Sequence, residues 1–244
     1  MEMNTGAIPR HEKPSAEAQI QALTMSILTT GWKPDVDAFV PLPGLGHQDR
    51  VSVPVQLYNR SSARFLIIGG AHNDELTYEE LNVHTLRREP YGLTRTDGII
   101  TKAVTTNTYT QIDWVMDQVL KYDITSIALF TSPYHLLRSL GTAIAALDRK
   151  HMPWIPIVPI SVGELDSEVP EMIQKGHLTT GHDMVAGENK RFLTYTKKRP
   201  VSTDGTMPNV ALKLEPAHVA SYRTIRDYMS WMRSEHATTI LAAA

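Results

Sequence analysis

Ser126-Ile-Ala-Leu-Phe-Thr-Ser-Pro-Tyr-His-Leu-Leu-Arg-Ser-Leu-Gly141 packs a strand, a polar turn and a helix start into one short stretch. The apolar run Ile127–Phe130, bounded by polar residues, predicts a strand buried on both faces. A helix is expected to open at Ser132-Pro133. Serine oxygen caps free backbone N–H groups of a first turn, and proline fits the first helical position, where no donor is lost. His135 and Arg138 lie three apart and so share one helix face. A capped helix that follows a buried strand and carries two cation-capable side chains at its mouth describes an anion site in an α/β protein.

The same alternation extends outward. Ala16–Thr29 has helical spacing, with Ile20, Leu23, Ile27 and Leu28 apolar. Asp37–Gly46 reads as a short strand running into a Pro/Gly turn, followed by a helix over Val51–Tyr58 that Pro54 weakens. Arg64–Gly70 is a strand ended by two glycines, and Glu75–Arg88 a helix with an acidic start and a basic end. Ile99–Val104 is a third strand with Thr105–Tyr109 as its exit loop, and Gln111–Lys121 a packed helix. Trp154–Ile160 is an edge strand or extended connection, broken by prolines. Beyond Val162 the pattern turns irregular, with polar loops and short helices, until a helix over Ala217–Arg233. Alternating strands and helices predict a mainly parallel sheet covered on both faces. The expected organisation is a tail and helix over 1–34, an α/β core over 35–162, and an extension over 163–244 that packs on the core as one domain.

Composition bounds the function. The 244 residues, 42% hydrophobic, suffice for one sizeable core. Lys+Arg 24 against Asp+Glu 26 leaves a net charge of −2, so no basic surplus argues for nucleic acid or an acidic membrane surface. No apolar run approaches the ~20 residues that span a bilayer, and the first residues carry no secretory signal. With Cys 0, disulfides, thiolate catalysis and cysteine-based zinc sites are excluded. A cytoplasmic protein without a membrane partner is the expectation, and a homo-oligomer stays open.

Parallel strands place their exit loops along one edge, and ligands bind there near the point where strand order reverses. Four loops are candidates to converge. They are Pro43–Gly46 with Arg50, Gly69–Glu75, Thr105–Thr108 and Thr131–Arg138. Gly44, Gly46, Gly69 and Gly70 permit close backbone approach; Asn107, Thr108, Thr131 and Ser132 offer hydrogen bonds; Arg50, His135 and Arg138 supply charge. Plainer readings compete: Gly69-Gly70 lacks dinucleotide-fingerprint spacing, Thr106 or Thr108 serves equally as a helix cap, and Arg138 pairs with a carboxylate. His72, Asp74 and Glu75 read as a solvated loop more readily than as a metal site, and His177 and His182 do not share a helix face. No metal is expected. Without a Gly-x-Ser-x-Gly elbow, serine hydrolysis is disfavoured.

In order along the chain, Asp37–Gly44, Arg50, Leu57-Tyr58 and Phe65–Gly70 resemble the YdcF/SanA/ElyC-like family. Thr105-Thr-Asn-Thr-Tyr-Thr-Gln111 is similar to its Ser-x-Asn-Thr-x-Glu-Asn signature, with Thr110 and Gln111 departing from it. Ile127–Arg138 is similar to its Val-Thr-Ser-x-Tyr-His-x-x-Arg motif, and Met184–Leu193 resembles the Gly-Glu-x-x-Arg-Leu element of the soluble branch. The likeness spans roughly residues 35–195.

The resemblance implies a Rossmann-like three-layer sandwich and, for the soluble branch, S-adenosylmethionine binding. An acidic residue after the glycine pair, Glu79 in preference to Glu75 or Glu80, would take ribose hydroxyls. On this reading Arg50, His135 and Arg138 hold a small ligand's carboxylate or phosphate, Asn107 and Thr108 orient it, and His135 is the general acid–base, its ordinary pKa lying near neutrality. The leading expectation is an S-adenosylmethionine- or nucleotide-binding enzyme of transferase or lyase type. The alternatives are a phosphoester or pyrophosphate hydrolase or transferase, and a non-catalytic ligand-binding module.

Overall fold

The structure is a computed structural model and describes residues 14–44, 46–70, 79–169, 178–196, 199–200, 214–215 and 218–241. Its centre is a five-stranded parallel sheet of β1 (Ala38–Pro41), β2 (Phe65–Gly69), β3 (Ile99–Lys102), β4 (Ile127–Thr131) and β5 (Ile157–Ser161), in the order β3-β2-β1-β4-β5. Every residue of β1 and β4 is buried, as the uninterrupted apolar runs require of strands covered on both faces. Phe39 of β1 pairs in register with Leu66 on one side and Ala128 on the other, and its ring packs 5.2 Å from that of Phe130.

Helices cover both faces, giving a Rossmann-like three-layer α/β sandwich. The helix α2 (Asp49–Tyr58) packs on β1 and β4, whereas α4 (Thr108–Lys121) packs on β2 and on α5 (Leu136–Arg149). Right-handed crossovers send β1 to β2 and β3 in one direction and β4 to β5 in the other, which places α2 opposite α4 and α5. Strand order therefore reverses between β1 and β4, and a crevice opens beyond Pro41 and Thr131, the carboxyl ends of these strands.

Three further helices pack around this core: α1 (Ala16–Thr29), α6 (Gly181–Tyr195) and α7 (Tyr222–Glu235). Gly141 of α5 sets how closely the last two approach, since a Cβ there would lie 2.9 Å from Ile225 of α7 and 3.2 Å from Phe192 of α6. At the amino edge of the sheet, Asp37 ties three segments together. It accepts two hydrogen bonds from Arg64, both 2.8 Å, and two from Thr125, at 2.9 and 3.0 Å.

Several local expectations change. The helix α4 begins at Thr108, because Asn107 caps it and forms a capping box with Thr110. Between residues 79 and 88 only α3 (Val83–Leu86) is helical; Asn82 accepts the N–H of Thr85 at 3.0 Å and so starts a new helix there. The remainder of the expected 75–88 helix lies outside the described residues. The third strand ends at Lys102, leaving Val104 exposed. Pro54 is accommodated in α2, where it removes only the bond to the Arg50 carbonyl. The supposedly irregular 163–244 segment contains the fifteen-residue α6.

Candidate functional site

Two polar clusters lie along the carboxyl edge of the sheet, the first of them at the switch crevice. The first joins the β1 and β4 exit loops. Arg50, 5% exposed at the start of α2, donates through Nε to Ser132 Oγ at 2.7 Å and through Nη2 to Tyr134 Oη at 2.9 Å. His47 closes the ring, with Nε2 2.8 Å from Tyr134 Oη and Nδ1 3.5 Å from Ser132 Oγ. Burial, followed by the Arg50 charge, pushes His47 down to about 3, so its imidazole is neutral and carries one hydrogen. That hydrogen serves only one of the two histidine bonds, so a serine or tyrosine hydroxyl hydrogen serves the other. Whichever tautomer forms, one hydroxyl hydrogen is not consumed by the ring.

Gly44 makes room for this arrangement: a Cβ there would sit 2.5 Å from Arg50 Nη1. Ser132, expected to cap the helix, makes no cap hydrogen bond, because its oxygen receives Arg50 instead. The first turn after it is a 3-10 turn, Pro133–His135, and α5 follows from Leu136.

The second cluster joins the β3 and β4 exits to α6. His135 Nε2 lies 3.2 Å from Thr108 Oγ1, and Arg138 Nη2 lies 2.8 Å from His135 Nδ1. Arg138 Nε donates to Glu188 Oε2 at 2.5 Å, and Arg191 donates to Glu188 Oε1 at 2.8 Å. Burial foremost, then the charges of Arg138 and Arg50, drives the His135 pKa well below its ordinary value. The ring is neutral near pH 7, so an unperturbed pKa near neutrality cannot be the basis for acid–base action by His135. Arg138, expected to hold a ligand anion, is instead engaged by Glu188 and His135.

Beside the first cluster lies a cavity of about 280 Å³. His47, Ser132 and Tyr134 line it, as do Asp49, Glu164 and Glu168. Asp49 lies against the backbone of Gly163, where a Cβ would be 3.3 Å from its Oδ2. The crevice therefore joins buried hydroxyl and imidazole groups to three carboxylates.

Gly46 also lines this cavity; the remaining expected site residues do not. Asn107 is exposed, and its side-chain oxygen accepts the Thr110 N–H as a helix cap. Gly69 serves packing, since a Cβ there would meet Trp114 at 2.8 Å, and its carbonyl accepts the side chain of Gln111. Gly70 and Gly46 adopt positive φ, 71° and 72°, as their turns require. Thr131 is fully buried, and its hydroxyl has no hydrogen-bond partner among the described residues. Glu79 pairs with Arg88 at 3.5 Å and, after burial, helps raise Tyr91 to about 12. It shares a small cleft with Gly44, Gly46 and His47. His72, Asp74, Glu75 and His177 lie outside the described residues.

His47, Tyr134 and Glu188 were not among the residues expected from sequence. Tyr134 and Glu188 do fall within the two stretches, Ile127–Arg138 and Met184–Leu193, that resemble family motifs, and Glu188 stands three residues before its partner Arg191; His47 is marked only by standing three residues before Arg50. No helix among the described residues is long and apolar enough to cross a membrane. No protein-family model matches this chain, and no curated protein matches it.

Proposed function

We propose that the chain binds S-adenosylmethionine, or a closely related nucleoside bearing a positive centre, at the β1/β4 crevice and acts as a cytoplasmic transferase- or lyase-type enzyme. One observation carries this reading. The cavity pairs buried hydrogen-bonding groups (His47, Ser132, Tyr134) with the carboxylates of Asp49, Glu164 and Glu168. Carboxylates accept ribose hydroxyls and attract ammonium or sulfonium charge. The volume lies just below the ~300–1,000 Å³ usual for small-molecule sites. The ordered resemblance to the YdcF-like family supports the same ligand. His135 acts in this reading as a neutral hydrogen-bond donor through Nε2–H rather than as a cationic grip.

Phosphoester or pyrophosphate chemistry fits less well, because the three carboxylates repel a polyanion at the cavity wall. Calorimetric titration separates the two. S-adenosylmethionine is expected to bind while inorganic pyrophosphate gives no heat. No binding at millimolar S-adenosylmethionine, or pyrophosphate binding in its place, overturns the proposal. If ligand binds and candidate acceptors yield no product over long incubation, the chain is a binding module and the enzymatic part falls.

A further inference from the structure

We propose that Glu188, contributed by α6, is a positioning residue that holds Arg138 against His135 and so fixes which ring nitrogen of His135 carries the hydrogen. The Glu188 side chain is 4% exposed and that of Arg138 17%. A guanidinium has no acceptor and stays protonated, so the 2.8 Å contact from Arg138 Nη2 requires a bare Nδ1 on His135. The ring hydrogen then resides on Nε2, the nitrogen 3.2 Å from Thr108 Oγ1 at the β3 exit. Glu188 Oε2 lies 3.8 Å from His135 Nδ1, too far to hydrogen-bond it, but 2.5 Å from Arg138 Nε. Its hold on the ring therefore passes through Arg138. Arg191, 2.8 Å from the other carboxylate oxygen, fixes Glu188 in turn.

The charged and titratable groups bearing on His135 are Arg138, Arg50, His47, Arg191 and Glu188. Removing Glu188 has opposite consequences under two accounts. If the carboxylate acts only as a nearby negative charge, its loss makes His135 harder to protonate. If it positions Arg138, its loss frees the guanidinium from Nδ1, a cation departs, and His135 becomes easier to protonate. The inference deepens the site reading above and rests on His135 belonging to that site.

The test is a pH titration of the full chain, with ¹⁵N-labelled imidazoles followed by NMR and the His135 signal assigned by His135→Gln. Wild type is expected to show one neutral tautomer with Nδ1 bare. Glu188→Ala is expected to raise the proton affinity of His135 at least tenfold, and Glu188→Asp, one methylene shorter, to raise it less. In an Arg138→Met background, Glu188→Ala is expected to lower it. If the alanine variant does not fold, the aspartate variant and Arg138→Met, which should itself raise the affinity, decide the matter. An unmoved or lowered His135 titration in Glu188→Ala or Glu188→Asp, or a protonated Nδ1 in neutral wild type, overturns the inference. No ligand enters the measurement, so a failure to bind S-adenosylmethionine removes the functional reading and leaves this result standing.

Discussion

Gly44→Ala sets two effects of known sign against each other. Gly44 is not among the glycines with positive φ, so alanine is conformationally acceptable there. On backbone grounds alone the change stabilises by about 0.4–1 kcal/mol, through a less disordered unfolded chain. Against this, the new Cβ would stand 2.5 Å from Arg50 Nη1 and 3.3 Å from its Cζ. The guanidinium has to move by roughly 1 Å to restore ordinary contact. It is anchored by bonds of 2.7 Å to Ser132 and 2.9 Å to Tyr134, so the movement strains or breaks both. Hydrogen bonds from a charged donor contribute about 1.5–3 kcal/mol each. Loss of one already exceeds the backbone gain, and the expected net destabilisation is about 1–4 kcal/mol. Urea denaturation reads this as a lower midpoint at unchanged slope. In an Arg50→Met background the same substitution should be neutral or mildly stabilising. A neutral or stabilised Gly44→Ala with Arg50 intact would mean that the β1 loop is not shaped around this guanidinium.

Further expectations concern the frame and the cavity. Asp37 is lowered from 3.8 to about 2, chiefly by the Arg64 hydrogen bonds, so its contribution is full above the unfolded value and lost as pH falls through about 2. At ~1.4 kcal/mol per unit the gap is worth about 2 kcal/mol at most. Because Arg64 is half-exposed, screening reduces this to roughly 1 kcal/mol. Asp37→Asn should remove this acid-side slope, and an unchanged profile would count against it. Gly98→Ala, at φ 69° with a Cβ 1.9 Å from the Arg64 carbonyl, should cost more than about 3 kcal/mol in the same denaturation assay, and a loss below about 1 would contradict the β2–β3 packing. Asp49→Asn should weaken S-adenosylmethionine binding about three- to tenfold by calorimetry. Unchanged affinity would remove Asp49 from the ligand's contacts.

Much of the frame is legible because parallel strands buried on both faces appear as short, uninterrupted apolar runs. Phe65–Ile68 and Ile127–Phe130 are two such runs, and polar or glycine residues punctuate both. The order of these runs, with helical periods between them, implies the sheet and so the crevice where Arg50 and Ser132 meet. Side-chain allegiance is less legible. Serine both caps helices and accepts hydrogen bonds, and only the arrival of Arg50 from another loop decides which Ser132 does. Among Thr106, Asn107 and Thr108 each is a plausible cap, and backbone geometry selects Asn107. The 163–244 segment reads as irregular because α6 is polar around most of its circumference. Apart from the motif it resembles, its buried Glu188 reads by pattern as a solvated glutamate until Arg138 is placed beside it. His47 carries no local pattern except its spacing from Arg50.

In the proposed reading, ligand binds beyond the carboxyl ends of β1 and β4, against His47, Ser132, Tyr134 and Asp49. A crystal structure of the full chain soaked in millimolar S-adenosylmethionine tests it most directly. Ligand density is expected in the cavity lined by these residues, with its positive groups toward Asp49, Glu164 or Glu168. Density at another site, or an empty crevice at saturating ligand, would contradict it.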